Sequence, residues 1–317
     1  MLGVLLSSLQ ISCGGSSDEE QAAPSSRPTL IMKQDPKLGL PVCSADPEIT
    51  PVLPGDQTVE RLEFDVTKDE NTLPGVAFLP RDMSGAPLVL MLSGGSIEGS
   101  RYDWLGDFLA SNGFGVVMVK RNGGGDRLGL PVSMLTALQE ANLEQRIDPT
   151  KVIIAGHSFG GLNALCLASP EGCPWAVLSE HVPTGLIGVV TLMSHAQPFE
   201  DPEMNTPMPI EGIPVMMIQG TRDGRSTVEE VSATFNRLQG NAERFLVTLT
   251  GVNHYQMASC LDINKDNYKG ELAAEVAHAV ALERAAKAVL AFSGWIDGGP
   301  KVVDQLLNVE GIFVEQP

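Results

Sequence analysis

Short apolar runs recur along the chain, most of them closing on a glycine-rich turn and followed by a stretch with helical spacing. Residues 58–66 alternate, with Val59, Leu62, Phe64 and Val66 on the apolar side, and 73–79 form a second apolar stretch. Together they predict an antiparallel hairpin at a sheet edge. The runs at 87–92, 115–119, 152–155, 187–193, 213–218 and 244–249 are too continuously apolar for a half-solvated strand and read as strands buried on both faces. Helical patterns fall between them at 102–111, 132–145, 162–168 and 228–238. A long pattern at 272–292, apolar at Leu272, Val276, Val280, Val289 and Leu290, closes the series. Strands alternating with helices predict an α/β protein with a mostly parallel central sheet and helices on both faces. The pattern contains no internal repeat and no insertion long enough for a large lid domain. It divides the chain into a short N-terminal segment at 1–13, a tether and irregular proline-rich arm at 14–57, an α/β domain at 58–298, and an appendix at 299–317.

The N-terminal segment changes the picture of where the protein works. Residues 1–12 are apolar but shorter than the ~20 needed to span a bilayer. Cys13 follows, then Gly14, Gly15, Ser16 and Ser17, then an acidic stretch rich in Ser, Pro and Ala. That order resembles a bacterial lipoprotein signal, which implies an extracytoplasmic protein, either held at the cell envelope through a lipidated Cys13 or secreted. A net charge of −18 over 317 residues argues against nucleic acid and against an anionic membrane surface as partners. Carboxylated substrates would be repelled in the same way, so an uncharged or weakly polar one is expected, bound by a monomer. Cys43, Cys166, Cys173 and Cys260 permit two disulfides in three connectivities, although Cys166, on a helix, also fits a buried thiol. No paired-cysteine motif or Cys/His cluster suggests a metal, and no cofactor is expected. Residues 262–267 carry oxygen ligands at odd positions but lack the glycine and glutamate of a calcium loop, and read as a turn with a helix N-cap.

The chemistry concentrates at Gly156-His157-Ser158-Phe159-Gly160, set between a buried strand and a helix of small residues. A serine on so sharp a turn needs glycines two before and two after it, and the turn lifts its hydroxyl out of the sheet as a nucleophile. The hydroxyl needs a base, and the base needs an orienting acid. Of the five histidines, His254 lies just past the last strand, at the sheet edge where open α/β sheets build their sites, and takes the base role. Asp223, past the strand at 213–218, is the candidate acid, and Asp201, past the preceding strand, is its rival. An oxyanion requires two donors. One is the Phe159 N–H at the helix start, and the other comes from Ser93-Gly94-Gly95-Ser96, with the Ser96 N–H first choice and Gly95, also a candidate substrate contact, second.

With these residues in order, the chain over about residues 58–295 resembles an α/β-hydrolase of the dienelactone-hydrolase-like, chlorophyllase-like and cutinase-like kind, polyester hydrolases included. The resemblance rests on Leu92-Ser93-Gly94-Gly95-Ser96, Trp104-Leu105-Gly106, Leu109-Ala110-Ser111-Asn112-Gly113-Phe114, the elbow through Gly161, and Asn253-His254. It implies a serine hydrolase of small or polymeric carboxylic esters. Polyester hydrolases carry an aromatic clamp where this chain has Ser194-His195, which makes His195 a candidate substrate contact. The alternatives are a serine peptidase of the same fold, which would ordinarily need an added domain, and a non-catalytic binding lipoprotein on a hydrolase scaffold.

Overall fold

The computed structural model describes Cys43 and residues 54–120, 127–196, 207–260 and 268–317. The hairpin expected at the sheet edge forms as β1 (Val59–Lys68) and β2 (Asn71–Pro80), which pair antiparallel along their whole length. Then follow β3 (Ala86–Leu92), α1 (Asp103–Ser111), β4 (Gly115–Val119), α2 (Leu130–Glu140), β5 (Ile147–His157), α3 (Phe159–Ala168) and β6 (Leu186–Leu192). The rest of the chain supplies β7 (Met208–Pro209), β8 (Val215–Gly220), α4 (Val228–Arg237), β9 (Leu238–Gln239), β10 (Arg244–Leu249), α5 (His278–Ile296), α6 (Val302–Leu306) and β11 (Ile312–Glu315).

The main sheet runs β1-β2-β4-β3-β5-β6-β8-β10-β11, with β7 and β9 forming a separate pair. From β4 through β10 every neighbouring pair is parallel, while β1–β2, β2–β4 and β10–β11 are antiparallel. The fold is an α/β-hydrolase fold.

Side chains alternating along each parallel strand feed two cores. Leu88, Leu90 and Leu92 of β3, with Val152 and Ile154 of β5, pack beneath α2, α3 and α4. Val89 and Met91, with Ile153 and Ala155, pack beneath α1, α5 and α6. Because both faces are covered, these strands read as unbroken apolar runs rather than alternating ones.

Three boundaries depart from the sequence reading. The second helix stops at Glu140 instead of near 145. Asn142 adopts φ 54°, and the Leu143 N–H returns 2.9 Å to the Leu138 carbonyl, a helix-terminating loop built on a residue tolerant of the left-handed region. The last long helix starts at His278, not 272. Residues 272–276 run non-helical because their backbone is taken by the site loops: the Glu275 N–H donates to Gly251 O, while the carbonyls of Leu272 and Val276 accept from Asn253 and Gln256. The C-terminal appendix is part of the domain, since α6 packs into the core and β11 pairs antiparallel with β10 as the sheet's last strand. The candidate calcium loop at 262–267, Cys13, Asp201 and the glycine run at 123–125 lie outside the described residues.

Candidate active site

The elbow forms as the sequence requires. Ser158 sits between the end of β5 and the start of α3 with φ 52° and ψ −121°, a conformation that costs a non-glycine residue about 1–3 kcal/mol. The surrounding packing holds it there. A Cβ at Gly156 would lie 2.3 Å from the Gly160 backbone, and one at Gly160 would lie 2.3 Å from the Leu92 carbonyl. The Ser158 N–H donates to Leu192 O at 2.9 Å, and the Ser194 hydroxyl donates to Ser158 O at 2.7 Å. Helix α3 begins at Phe159, so the Phe159 N–H is among the donors left without an intrahelical acceptor.

Past β8 and β10, at the same edge, Asp223 and His254 meet. His254 Nδ1 lies 2.9 Å from Asp223 Oδ2, with both side chains buried. A carboxylate only accepts, so the shared proton sits on His254 Nδ1, and in the neutral imidazole Nε2 then holds the lone pair. The other oxygen, Asp223 Oδ1, accepts the N–H groups of Arg225 and Ser226 at 2.7 and 2.6 Å, so one side chain is both a turn-former and the imidazole's partner. Asn253 and Gln256 fix the His254 turn from both ends by a reciprocal cap, then reach across to the carbonyls of Leu272 and Val276. Among the described residues no hydrogen bond joins the Ser158 hydroxyl to His254. The ring of His157, the neighbour of Ser158, lies 4.7 Å from that of His254.

His157 does more than occupy the variable place in the elbow. Its Nε2 lies 3.0 Å from the His254 carbonyl, and its Nδ1 lies 2.7 Å from the Tyr102 hydroxyl, which accepts the Gly94 N–H at 3.1 Å. Burial holds the His157 pKa well below the usual histidine range, and the His254 ring adds to the effect, so the ring is neutral with one N–H. A carbonyl only accepts, which puts that proton on Nε2, and the Tyr102 O–H must then donate to Nδ1. All the bonds point one way, from Gly94 N–H through Tyr102 and His157 to the His254 carbonyl. This relay ties the loop after β3, the elbow and the His254 turn together.

In that loop, Ser96 adopts φ 57° and the Ile97 N–H closes a turn on Gly94 O at 3.4 Å. A Cβ at Gly95 would touch Phe159 Cβ at 3.8 Å, so the loop lies against the first turn of α3. A cavity of about 540 Å³ opens beside Phe159, lined also by Arg127, Leu128, Asn163, Trp175, Ala176 and His181. His195 does not line that cavity but stands within electrostatic reach of the Asp223–His254 pair. Its Nε2 lies 3.9 Å from Glu230, and burial lowers its pKa, with Glu230 and Asp223 opposing and His254 adding to the effect.

Glu271 was not anticipated, because it directly precedes a stretch that reads as helix. It is buried beside Asp223 and His254, with Oε1 accepting the N–H groups of Gly224 and Leu272 and Oε2 unpartnered. Asp223, His254 and Glu271 bring ligand-type atoms within 4.8 Å of one another. A cation there would have to break the Asp223–His254 hydrogen bond, which fits an acid–base site better than a metal centre. Tyr102 and Arg127 carried no sequence signal either, each being an ordinary residue near a turn.

The chain matches no family model. It is 28% identical over 149 residues to Cutinase 2 of Thermobifida cellulosilytica, a match covering 39% of this chain and 57% of that one. The likeness is to cutinases. Cutinase cut1 of Thermobifida fusca matches at 28% identity, with 39% and 47% covered, and Cutinase est1 of Thermobifida alba at 27%, with 39% and 50% covered. The matched stretch spans about half the length of these curated relatives. At this identity and coverage the likeness supports a cutinase-like α/β-hydrolase.

Proposed function

We propose that the protein is a serine esterase that cleaves carboxylic esters through an acyl-enzyme. The carrying observation is the buried Asp223–His254 hydrogen bond beside a serine held in the strained elbow conformation. In this reading His254 Nε2 takes the Ser158 proton as Oγ attacks the ester carbonyl carbon. The N–H of Phe159 and that of Ser96 or Gly95 receive the oxyanion. The tetrahedral adduct collapses, and the alcohol leaves with the proton returned by His254. Water then attacks the acyl carbonyl carbon while His254 accepts its proton. The second tetrahedral adduct collapses, breaking the bond to Ser158 Oγ as His254 returns the proton to Oγ and the carboxylic acid departs. Asp223 keeps the Nδ1–H tautomer throughout. The cavity beside Phe159 takes one side of an uncharged ester, with His195 a contact on the other.

Among the described residues no helix is long and apolar enough to cross a membrane. The disulfides Cys43–Cys260 and Cys166–Cys173 support an extracytoplasmic protein, in keeping with the lipoprotein-type segment at Cys13. The test is a fluorophosphonate probe with a panel of neutral nitrophenyl esters. The native protein becomes labelled and active, and Ser158→Ala loses both. A native protein that neither labels nor hydrolyses any ester would instead favour a binding protein on this scaffold.

A further inference from the structure

An oxyanion site made from two separate elements works only if the elements keep register to within about half an ångström. Here one donor rides on α3 and the other on a loop containing Gly94-Gly95. Two consecutive glycines lower the cost of rotating the peptide between them, and one such flip would turn the Gly95 N–H away from its target. The Ile97 N–H reaches the Gly94 carbonyl only at 3.4 Å, beyond the usual hydrogen-bond range, so a second donor must hold that peptide.

Arg127 occupies the place to do so. It is only 7% exposed, and burial lowers the guanidinium pKa. Its Nη1 donates to the carbonyl of Ser93 and, at 3.1 Å, to that of Gly94. Its Cζ stands 5.4 Å from the centre of the Phe159 ring, in cation–π range. In a trans peptide the C=O of one residue and the N–H of the next point in opposite directions. Holding the Gly94 carbonyl therefore fixes where the Gly95 N–H points, and holding the Ser93 carbonyl fixes the Gly94 N–H, which Tyr102 accepts from the other side. The ring contact completes the link, because Phe159 supplies the second donor. Resting on the esterase reading, we infer that Arg127 is a positioning residue for the oxyanion site. It locks the Ser93–Gly95 backbone against the first turn of α3, so that the Gly95 N–H, taken as the loop donor, and the Phe159 N–H meet one oxygen.

The discriminating experiment compares Arg127→Ala and Arg127→Lys with native protein on a neutral nitrophenyl ester. In Arg127→Ala, kcat is expected to fall by about 10- to 100-fold, somewhat less than the loss from deleting an oxyanion donor outright, with KM little changed. Affinity for a trifluoromethyl ketone, whose adduct carries the oxyanion, falls by the same factor. Lysine keeps the charge and stem but not the fork, so Arg127→Lys recovers only part of kcat. Guanidinium ion at sub-denaturing concentration restores part of the Arg127→Ala rate, and tetramethylammonium does not. A folded Arg127→Ala with native kcat, or a loss confined to KM, overturns the inference and leaves Arg127 as a cavity wall. If Arg127→Ala does not fold, native kcat in Arg127→Lys overturns it equally. Fluorophosphonate labelling separates the two levels. Native protein that labels while the variants keep full kcat sinks the Arg127 role alone, whereas native protein that fails to label removes the esterase reading and this inference with it.

Discussion

At the scale of single residues, the site is two carboxyl groups with opposite tasks around one imidazole. Asp223 accepts the His254 Nδ1–H and two backbone N–H groups, which fixes the imidazole tautomer that leaves Nε2 free. Asp223→Asn keeps the shape and loses the tautomer. Its kcat is expected to fall by ~10⁴-fold, as when the corresponding group is neutralised in a serine-protease triad, with the circular dichroism spectrum unchanged. The same substitution at the rival Asp201 should leave kcat near native, and the reverse ranking would mean that the wrong carboxylate is named.

Glu271 behaves differently, because burial raises its pKa and the charge of Asp223 raises it further. His254 and the N–H groups of Gly224 and Leu272 pull the other way, and Tyr255 also faces it. A carboxyl with a raised folded pKa binds its proton more tightly in the folded state than in the unfolded one. Stability therefore falls as pH climbs from the unfolded value of 4.5 through the raised one, then levels off. Glu271→Gln keeps an oxygen acceptor for the backbone donors and removes the titration. Urea unfolding across pH should show the variant gaining on native protein over that window and holding a constant lead above it. A difference that does not vary with pH would place the Glu271 charge outside the folding balance.

At the scale of elements, the parallel strands and the elbow were legible because a strand buried on both faces leaves an unbroken apolar run, and a nucleophile elbow tolerates few sequences. Asp223 and His254 were legible for a related reason: each directly follows such a run, so strand topology alone brings them to one edge. What the pattern could not convey were uses of backbone made by partners far away in sequence. Leu272 and Val276 have helical spacing, yet Asn253 and Gln256 hold their carbonyls in a non-helical strap. β11 is too short to register as a strand until it pairs with β10. The relay through Tyr102 and His157 was equally hidden, since it joins three loops by bonds across 8, 55 and 97 residues. Its removal is a test of coupling between elements. Tyr102→Phe takes one acceptor from the Gly94 N–H and removes the O–H that His157 Nδ1 accepts in a buried site, which should cost about 1–3 kcal/mol of stability. It should also lower kcat more than it changes KM. If the relay acts as a unit, His157→Leu and Tyr102→Phe combined will cost less than the sum of the two singly, and strict additivity would show that the bonds act independently.

At the scale of the whole molecule, the two disulfides divide the labour between stability and the substrate cavity. Cys43–Cys260 closes a span of 217 residues, and Cys166–Cys173 a span of 7. In the chain-entropy account, closing the long loop stabilises by about 5 kcal/mol and the short one by about 2.5 kcal/mol. The long bridge ends just after the turn that carries His254, where the Ser259 N–H also donates to Arg101 O, so it anchors the base loop as well as the fold. The short bridge ties α3 to the segment that places Trp175, Ala176 and His181 in the cavity wall, with the Trp175 ring 5.8 Å from that of Phe159. Replacing Cys43 and Cys260 by serine should therefore give the larger drop in melting temperature. Replacing Cys166 and Cys173 should give the smaller drop, but a rise in KM for bulky esters, because a loosened wall no longer holds the indole against Phe159. Calorimetry and ester kinetics on the two double variants read both effects. A greater thermal loss from the short bridge would mean that its local packing, not the entropy of the loop it closes, sets its contribution.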